Sequence, residues 1–355
     1  MTTIIRPAQF NDWRAGPTWS PLGFAARPAR PADPAPVLLL GVYLEDWLAE
    51  VVRGSVRPKT YVSYRSIVRL HLIPGLGAQP LVELRPADVQ AFLNAKAASG
   101  LAPRTVAYLR NVLRQALGHA ERSELVGRNV ARLARPPRIP RREVRPLDPD
   151  EARVFLAAIR GDRWEALYLV ALGCGLRQGE ILGLAWGDLD LEAGTLRVHR
   201  ALQRIEGAFA FVEPKSATSR RIVALPAIVR LGLLAHRERA EVEGPARTPL
   251  EGFADLVFTT RVGTPIDGIS VTRRFQRILT GAGLPRQRFH DLRHACASLL
   301  LSQGVPARVV METLGHSQIS LTLNTYSHVI PALGREAAER MDAVLRSGSA
   351  GAAVD

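Results

Sequence analysis

The segment at residues 290–326 reads HDLRHACASLLLSQGVPARVVMETLGHSQISLTLNTY. Its apolar residues recur at helical spacing, and among them stand the polar side chains of His290, Arg293, His316 and Tyr326. A phenol is a nucleophile, a guanidinium matches two phosphate oxygens, and an imidazole moves protons near neutral pH. The segment therefore predicts a helical domain that attacks a phosphodiester without a metal ion.

The residues on either side extend the helical pattern, with the capping box Asp148-Pro-Asp-Glu151 opening the first helix. Helices are predicted over 148–159, 164–174, 227–243, 269–281, 289–303, 306–314, 318–329 and 331–346, and a further one is expected to start within residues 175–180. Alternating or β-branched stretches predict strands over 195–202, 208–212 and 220–225. Residues 147–346 are thus expected to form a mainly α domain with one small antiparallel sheet, followed by a flexible tail at 347–355.

The N-terminal part has a different composition. Residues 1–36 contain seven prolines and little apolar periodicity, which predicts a flexible arm. Helices starting near residue 37, at 59–72, at Pro86 and at Pro103 predict an all-helical domain over 37–133. Residues 134–146 hold four prolines and five arginines, which is typical of an extended basic linker.

The overall charge favours a polyanionic partner. The chain has 47 Lys plus Arg against 33 Asp plus Glu, a net charge of +14. Only Lys59, Lys96 and Lys215 are lysines, so each is informative. The chain shows neither an apolar run long enough for a membrane span nor a secretory signal, and Cys174 and Cys296 stand alone like core thiols. We expect a cytoplasmic protein without a membrane partner.

Five motifs occur in an order that resembles the tyrosine recombinases of the phage integrase family, over roughly residues 37–345. They are Gly175-Leu-Arg-Gln-Gly-Glu180, Pro214-Lys-Ser216, His290-Asp-Leu-Arg293, Leu314-Gly-His316 and Tyr326. The resemblance implies a two-domain, C-shaped clamp around DNA, in which 37–133 is a SAM-like core-binding domain and 147–346 is the catalytic domain. It also implies that no metal ion or other cofactor is needed, because the energy of the cut bond is kept in a covalent phosphotyrosine.

The same resemblance assigns roles to six residues. Tyr326 attacks the scissile phosphate and holds the 3′ phosphate, His290 acts as the base, His316 helps to hold the phosphate, Arg177 and Arg293 clamp its non-bridging oxygens, and Lys215 protonates the leaving 5′ oxygen. Glu180 is expected to hold Arg177 in position, and a simple surface pair between residues three apart is an equal alternative.

Basic residues on two helices of the first domain are candidates for DNA contact. Arg65 and Arg69 are four residues apart and share a helix face, as do Arg110 and Arg114, and Lys59 begins the first of these helices. Ordinary solvated helix faces would give the same pattern, so this alternative stays open.

The expected function is DNA integration and excision by a site-specific recombinase. The expected partners are double-stranded DNA and accessory DNA-bending or directionality factors. The protein is expected to act as a homotetramer on two DNA sites and to be a monomer without DNA. A chromosome-dimer resolvase is the nearest alternative, and a type IB topoisomerase and a non-catalytic DNA-binding protein are more distant ones. The helix over 331–346 is expected to pack either into a neighbouring subunit or onto its own domain.

Overall fold

The computed structural model describes residues 37–140, 145–214, 219–244, 250–315, 338–339 and 341–346. The predicted site residues Lys215, His316 and Tyr326 lie outside the described residues, as do the arm, the tail and the helix predicted over 318–329. The chain divides into two compact units between residues 142 and 143.

The described residues of the first unit form helices joined by short turns and loops. Its helical segments are α1 (Leu40–Asp46), a π-helical stretch (Trp47–Val52), α2 (Arg53–Ser55), α3 (Pro58–Ile67), a second π stretch (Val68–Leu72), α4 (Ile73–Leu76), α5 (Pro86–Ala98) and α6 (Pro103–Arg122), with 3-10 turns at Leu81–Glu83 and Val130–Arg132. The helices α3, α5 and α6 each begin with a proline, which lacks the N–H that a first turn leaves unpaired. The long helix α6 buries its apolar stripe in the core of this unit.

The first unit differs from the sequence expectation at two places. The helix predicted to end at residue 72 continues through the second π stretch into α4, where Pro74 occupies the first turn. The packed structure also extends past residue 133, because Ala134 is buried and Gln90 exchanges two hydrogen bonds with the backbone of Arg135. The first residues of the predicted linker therefore pack with the helical unit.

The second unit surrounds a larger apolar core. Its helices are α7 (Pro149–Ala158), α8 (Glu165–Gly173), α9 (Gln178–Leu182), α10 (Ala227–Glu243), α11 (Gly268–Gly281), α12 (Asp291–Ser302) and α13 (Ala307–Leu314), with a 3-10 turn at Trp186–Asp188. The predicted capping box of α7 is confirmed, since Asp148 accepts hydrogen bonds from Asp150 and Glu151 while Glu151 accepts one from Asp148. Residues 338–339 and 341–346 are helical.

The expectation of one sheet is wrong, because the described strands form two. The strands β1 (Leu189–Asp190), β2 (Thr195–Val198) and β5 (Arg221–Ala224) form an antiparallel sheet in the order β1-β2-β5, and β3 (Ala201–Ile205) pairs with β4 (Ala208–Val212) in a hairpin. The predicted strand over 195–202 breaks where His199 and Arg200 both bind Asp188, at 2.7 and 3.3 Å. The hairpin then packs its backbone against Gly183, where a Cβ atom would lie 2.8 Å from the amide nitrogen of Leu202.

The fold class is otherwise confirmed as mainly α with a small antiparallel β component, and the C-shaped clamp stays a prediction. Both cysteines are buried, and burial raises the pKa of each thiol to about 12, so the prediction of core thiols is confirmed. Among the described helices, none is both long and apolar enough to cross a membrane.

Candidate active site

A sharp turn between α8 and α9 positions Arg177. Gly175 has a φ of +61°, and a Cβ atom there would overlap Leu314 Cδ2 and lie 3.2 Å from Cys296 Sγ. Only glycine fits this turn without displacing the core. Arg177 then stands at the N-cap of α9 with 40% of its side chain exposed, so its guanidinium remains accessible to a ligand.

Glu180 holds Arg177 by its side chain and its backbone. Arg177 Nη1 donates to Glu180 Oε1 at 2.7 Å, and the Arg177 amide donates to Oε2 at 3.0 Å. Glu180 is buried, which excludes the alternative of a simple surface pair. Burial alone would raise the pKa of Glu180, but the charge and hydrogen bond of Arg221, together with Arg177, hold the pKa below its ordinary value. Glu180 is therefore an ionised anchor between two arginines.

The other end of the Arg177 guanidinium reaches the segment that leads to His316. Arg177 Nη2 donates to the carbonyl oxygen of Gly315 at 3.2 Å. Gly315 ends α13 in the left-handed conformation, with a φ of +67°. Since His316 follows directly in the chain, Arg177 is bound to the residue next to a second predicted site residue.

Arg293 approaches the same region from α12. It is only 2% exposed, and its Nη1 atom donates to the carbonyl oxygen of Gly175 at 2.8 Å. Gly175 precedes Arg177 by two residues, so one turn supports both predicted phosphate-binding arginines. The structure thus brings together Arg177, Glu180 and Arg293, which lie up to 116 positions apart in the sequence.

His290 stands at the N-cap of α12, one helical turn before Arg293. Its ring centroid lies 5.2 Å from that of His294, edge to face. Although His290 is exposed, desolvation of its imidazole by the surrounding protein, followed by the charges of His294 and Arg293, lowers its pKa to about 4. At neutral pH the imidazole is therefore uncharged, which is the state that accepts a proton.

The sequence expectation missed Arg221. Its side chain is 7% exposed and forms an ion pair with Glu180, from Nη2 to Oε2 at 3.0 Å. A signal was present, because Arg221 lies two residues before Val223 and so shares the buried side of a strand. An arginine on the buried side of a strand needs an internal partner.

The candidate DNA-binding residues of the first unit have different surroundings. Lys59 and Arg114 are exposed, and the Arg65 guanidinium lies 5.6 Å from the centre of the Tyr61 ring. Arg69 makes a bidentate ion pair with Glu45, which compensates part of its charge.

Arg110 has two partners in its own unit. Its Nε and Nη2 atoms donate to the carbonyl oxygens of Ala134 and Arg132, at 2.7 and 3.0 Å. These two bonds indicate that Arg110 stabilises the C-terminal end of the first unit. The two arginines that share a face of α6 therefore differ, because Arg114 is exposed.

Two family models match the chain. The model of the phage integrase family matches residues 145–332, and that of the phage integrase N-terminal SAM-like domain matches residues 39–97. A tyrosine recombinase XerC-like protein of Caldanaerobacter subterraneus subsp. tengcongensis is 32% identical over 322 residues, covering 85% of this chain and 82% of that protein. An integrase of Saccharopolyspora erythraea is 29% identical, covering 84% and 81%.

The fold also resembles a solved structure, the Tn1549 transposon integrase in complex with a circular intermediate DNA. The TM-score is 0.74 at 23% identity, and the match covers 86% of this chain and 99% of that one.

Proposed function

The chain belongs to the phage integrase family of tyrosine recombinases, and on that basis we propose that it is a site-specific DNA recombinase acting as an integrase. The observation that carries the proposal is the convergence of two arginines on one turn. Arg293 donates to the carbonyl oxygen of Gly175, and Arg177, two residues later, donates to that of Gly315 beside His316. A guanidinium keeps its proton at any physiological pH, so such a pair suits the charged oxygens of a phosphodiester.

In the proposed cleavage step, the Tyr326 oxygen forms a bond to phosphorus and the bond from phosphorus to the 5′ oxygen breaks. A phenol has a pKa of about 10 and needs a base at neutral pH. His290 takes the phenol proton, for which its low pKa keeps it uncharged, and Lys215 gives a proton to the departing 5′ oxygen. His316 donates to the phosphate. Rejoining reverses these transfers, with a 5′ hydroxyl as the attacking group.

Arg177 and Arg293 stabilise the charge that develops on the non-bridging oxygens during both steps. Arg177 combines an accessible guanidinium with a buried anchor in Glu180, so its position does not need to be acquired when DNA binds. We assign Glu180 this supporting role and no contact with the DNA.

The partner proposed here is double-stranded DNA, contacted in the first unit by Lys59, Arg65 and Arg114. Exchange between two duplexes cuts four strands, and one tyrosine serves each cut, so four protomers act on two sites. Without DNA we expect a monomer. Because its substrate is a chromosome or mobile element, we propose that the protein acts in the cytoplasm. We also propose that DNA-bending or directionality factors take part in the reaction.

A covalent adduct tests this function. The Tyr326→Phe variant would first be used to select its target from a random duplex library, and the selected sequence would then be built into a nicked duplex. The wild-type protein should form an adduct that survives denaturing electrophoresis, whereas Tyr326→Phe should bind and form none. Binding without any wild-type adduct would contradict the proposal in favour of a non-catalytic DNA-binding protein. Relaxation of a supercoiled plasmid without the selected site would instead indicate a topoisomerase.

A chromosome-dimer resolvase is the second candidate, favoured by the 32% identity to the XerC-like relative. An integrase joins two sites of different sequence, whereas a dimer resolvase acts on two copies of one site. Two-plasmid recombination with matched and unmatched site pairs separates them. Exchange restricted to identical sites would favour the resolvase.

A further inference from the structure

Arg221 lies at the first position of β5 and contacts three separate parts of the second unit. Its Nε atom donates to the carbonyl oxygen of Thr313 at 2.7 Å, its Nη1 atom to that of Ser219 at 3.1 Å, and its Nη2 atom to Glu180 Oε2 at 3.0 Å. All three guanidinium nitrogens are therefore engaged by the protein. We therefore assign Arg221 no contact with the DNA.

These contacts close a ring of interactions around the end of α13. Glu180 binds Arg221 and Arg177 through its two carboxylate oxygens, and Arg177 returns to the carbonyl oxygen of Gly315. Two guanidiniums thus hold the carbonyl oxygens of residues 313 and 315, on either side of Leu314. The segment that enters His316 is fixed at two points.

The approach of Arg221 to this segment is close. A Cβ atom at Gly315 would lie 2.9 Å from Arg221 Nη1, so the glycine leaves the space that the guanidinium uses. Arg221 also follows Lys215 by six residues, on the strand that comes after the proline and lysine motif. The helix α9, the end of α13 and the start of β5 therefore meet at this one side chain, and in the sequence His316 lies one residue after Gly315 and Lys215 six residues before Arg221.

The geometry points to Arg221 as a positioning residue for the recombination reaction, which holds Arg177 and the entry to His316 in their working positions through Glu180 and Thr313. This inference rests on the proposed function. Without the Arg221 charge, Glu180 would keep Arg177 as its only cationic partner among its described neighbours, and residue 313 would lose its tether. A displacement of the order of 1 Å in such a site costs on the order of 100-fold in rate.

The test compares Arg221→Met with Arg220→Met. Methionine keeps a long side chain without the charge, and Arg220 is the adjacent arginine, 60% exposed and paired with Glu213. Adduct formation would be timed in a single turnover on the nicked duplex selected with Tyr326→Phe, at saturating protein, and the dissociation constant for that duplex would be measured separately. We expect Arg221→Met to cleave about 100-fold more slowly, with a dissociation constant within about twofold of the wild type, and Arg220→Met to match the wild type.

The pH profile supplies a readout that a purely structural role would not move. Arg221 helps to depress the pKa of Glu180, and among the residues that the structure describes the other charged group acting on this carboxylate is Arg177. In Arg221→Met the pKa of Glu180 rises, so Glu180 becomes protonated and Arg177 loses its anchor at a higher pH. The acid limb of the cleavage profile should therefore shift upward, and it should not shift in Arg220→Met.

The outcomes separate the two levels of inference. Absence of adduct from the wild type and from Arg220→Met would refute the proposed function. Normal adduct formation by Arg221→Met, or slow cleavage with an unmoved acid limb, would overturn the role of Arg221 alone. Should Arg221→Met fail to fold, Arg221→Lys keeps the charge but offers fewer fixed donors, and its expected intermediate rate would be compared in the same assay.

Discussion

Replacing Gly175 by alanine tests whether the turn between α8 and α9 is as tightly enclosed as its geometry indicates. The left-handed backbone, with a φ of +61°, costs about 1–2 kcal/mol for a residue with a Cβ atom. The added methyl group would also overlap Leu314 Cδ2 and crowd Cys296 Sγ. Overpacking of a filled core costs a further ~1–3 kcal/mol. We expect Gly175→Ala to lower the free energy of unfolding by about 2–5 kcal/mol.

The matched control is Gly304→Ala, at the turn between α12 and α13. Gly304 has a similar φ of +74°, but a Cβ atom there would meet nothing within 4 Å. Gly304→Ala should therefore lower the free energy of unfolding by the backbone cost alone, about 1–2 kcal/mol. Urea denaturation of both variants gives the two free energies of unfolding, and equal losses would refute the reasoning from close packing.

Two further predictions concern charge. Because the folded state holds the pKa of His290 near 4 and the ordinary value is 6.5, the unfolded chain binds more protons between these pH values, so stability falls as pH falls through this window. His290→Gln should flatten the pH dependence measured by denaturation, His294→Gln should flatten it as well because its pKa is also lowered, and an unchanged slope in both would contradict these pKa shifts. Arg110→Met removes two hydrogen bonds to backbone carbonyl oxygens, so it should lower the free energy of unfolding by about 1–3 kcal/mol. Arg114→Met should instead keep its stability and weaken DNA binding in a titration, and the reverse pattern would contradict both assignments.

Several helix starts of this protein can be predicted from local sequence features. Prolines at positions 58, 86 and 103 mark three helix starts, and the capping box at Asp148 marks a fourth. Each of these signals acts within one turn of its own residue, because it satisfies or removes unpaired N–H groups. Such features can be read directly from a sequence.

Contacts between distant residues explain what the sequence did not reveal. The strand predicted over 195–202 breaks because Asp188 binds both His199 and Arg200, and the strand pattern alone contains no sign of that aspartate. The residues of the site also differ in how far the sequence identifies them. Motif order identified Arg177 and Arg293, whereas the place of Arg221 on the buried side of a strand indicates only that it has an internal partner, and the structure identifies Glu180 and Thr313 as its partners.

The two carbonyl contacts of the arginines have a consequence for the dynamics of the site. Arg293 donates a hydrogen bond to the turn that carries Arg177, and Arg177 donates one to the end of α13. The turn and the helix end are therefore each restrained by a side chain from another element. Local opening of α13 at Gly315 therefore frees Arg177 Nη2 while Glu180 still holds Nη1, and hydrogen exchange at the two turns should show how strongly their openings are coupled. A protomer whose α13 loosens at Gly315 keeps Arg177 on Glu180 but loses the restraint on the residue before His316, so its cleavage of DNA should slow rather than stop.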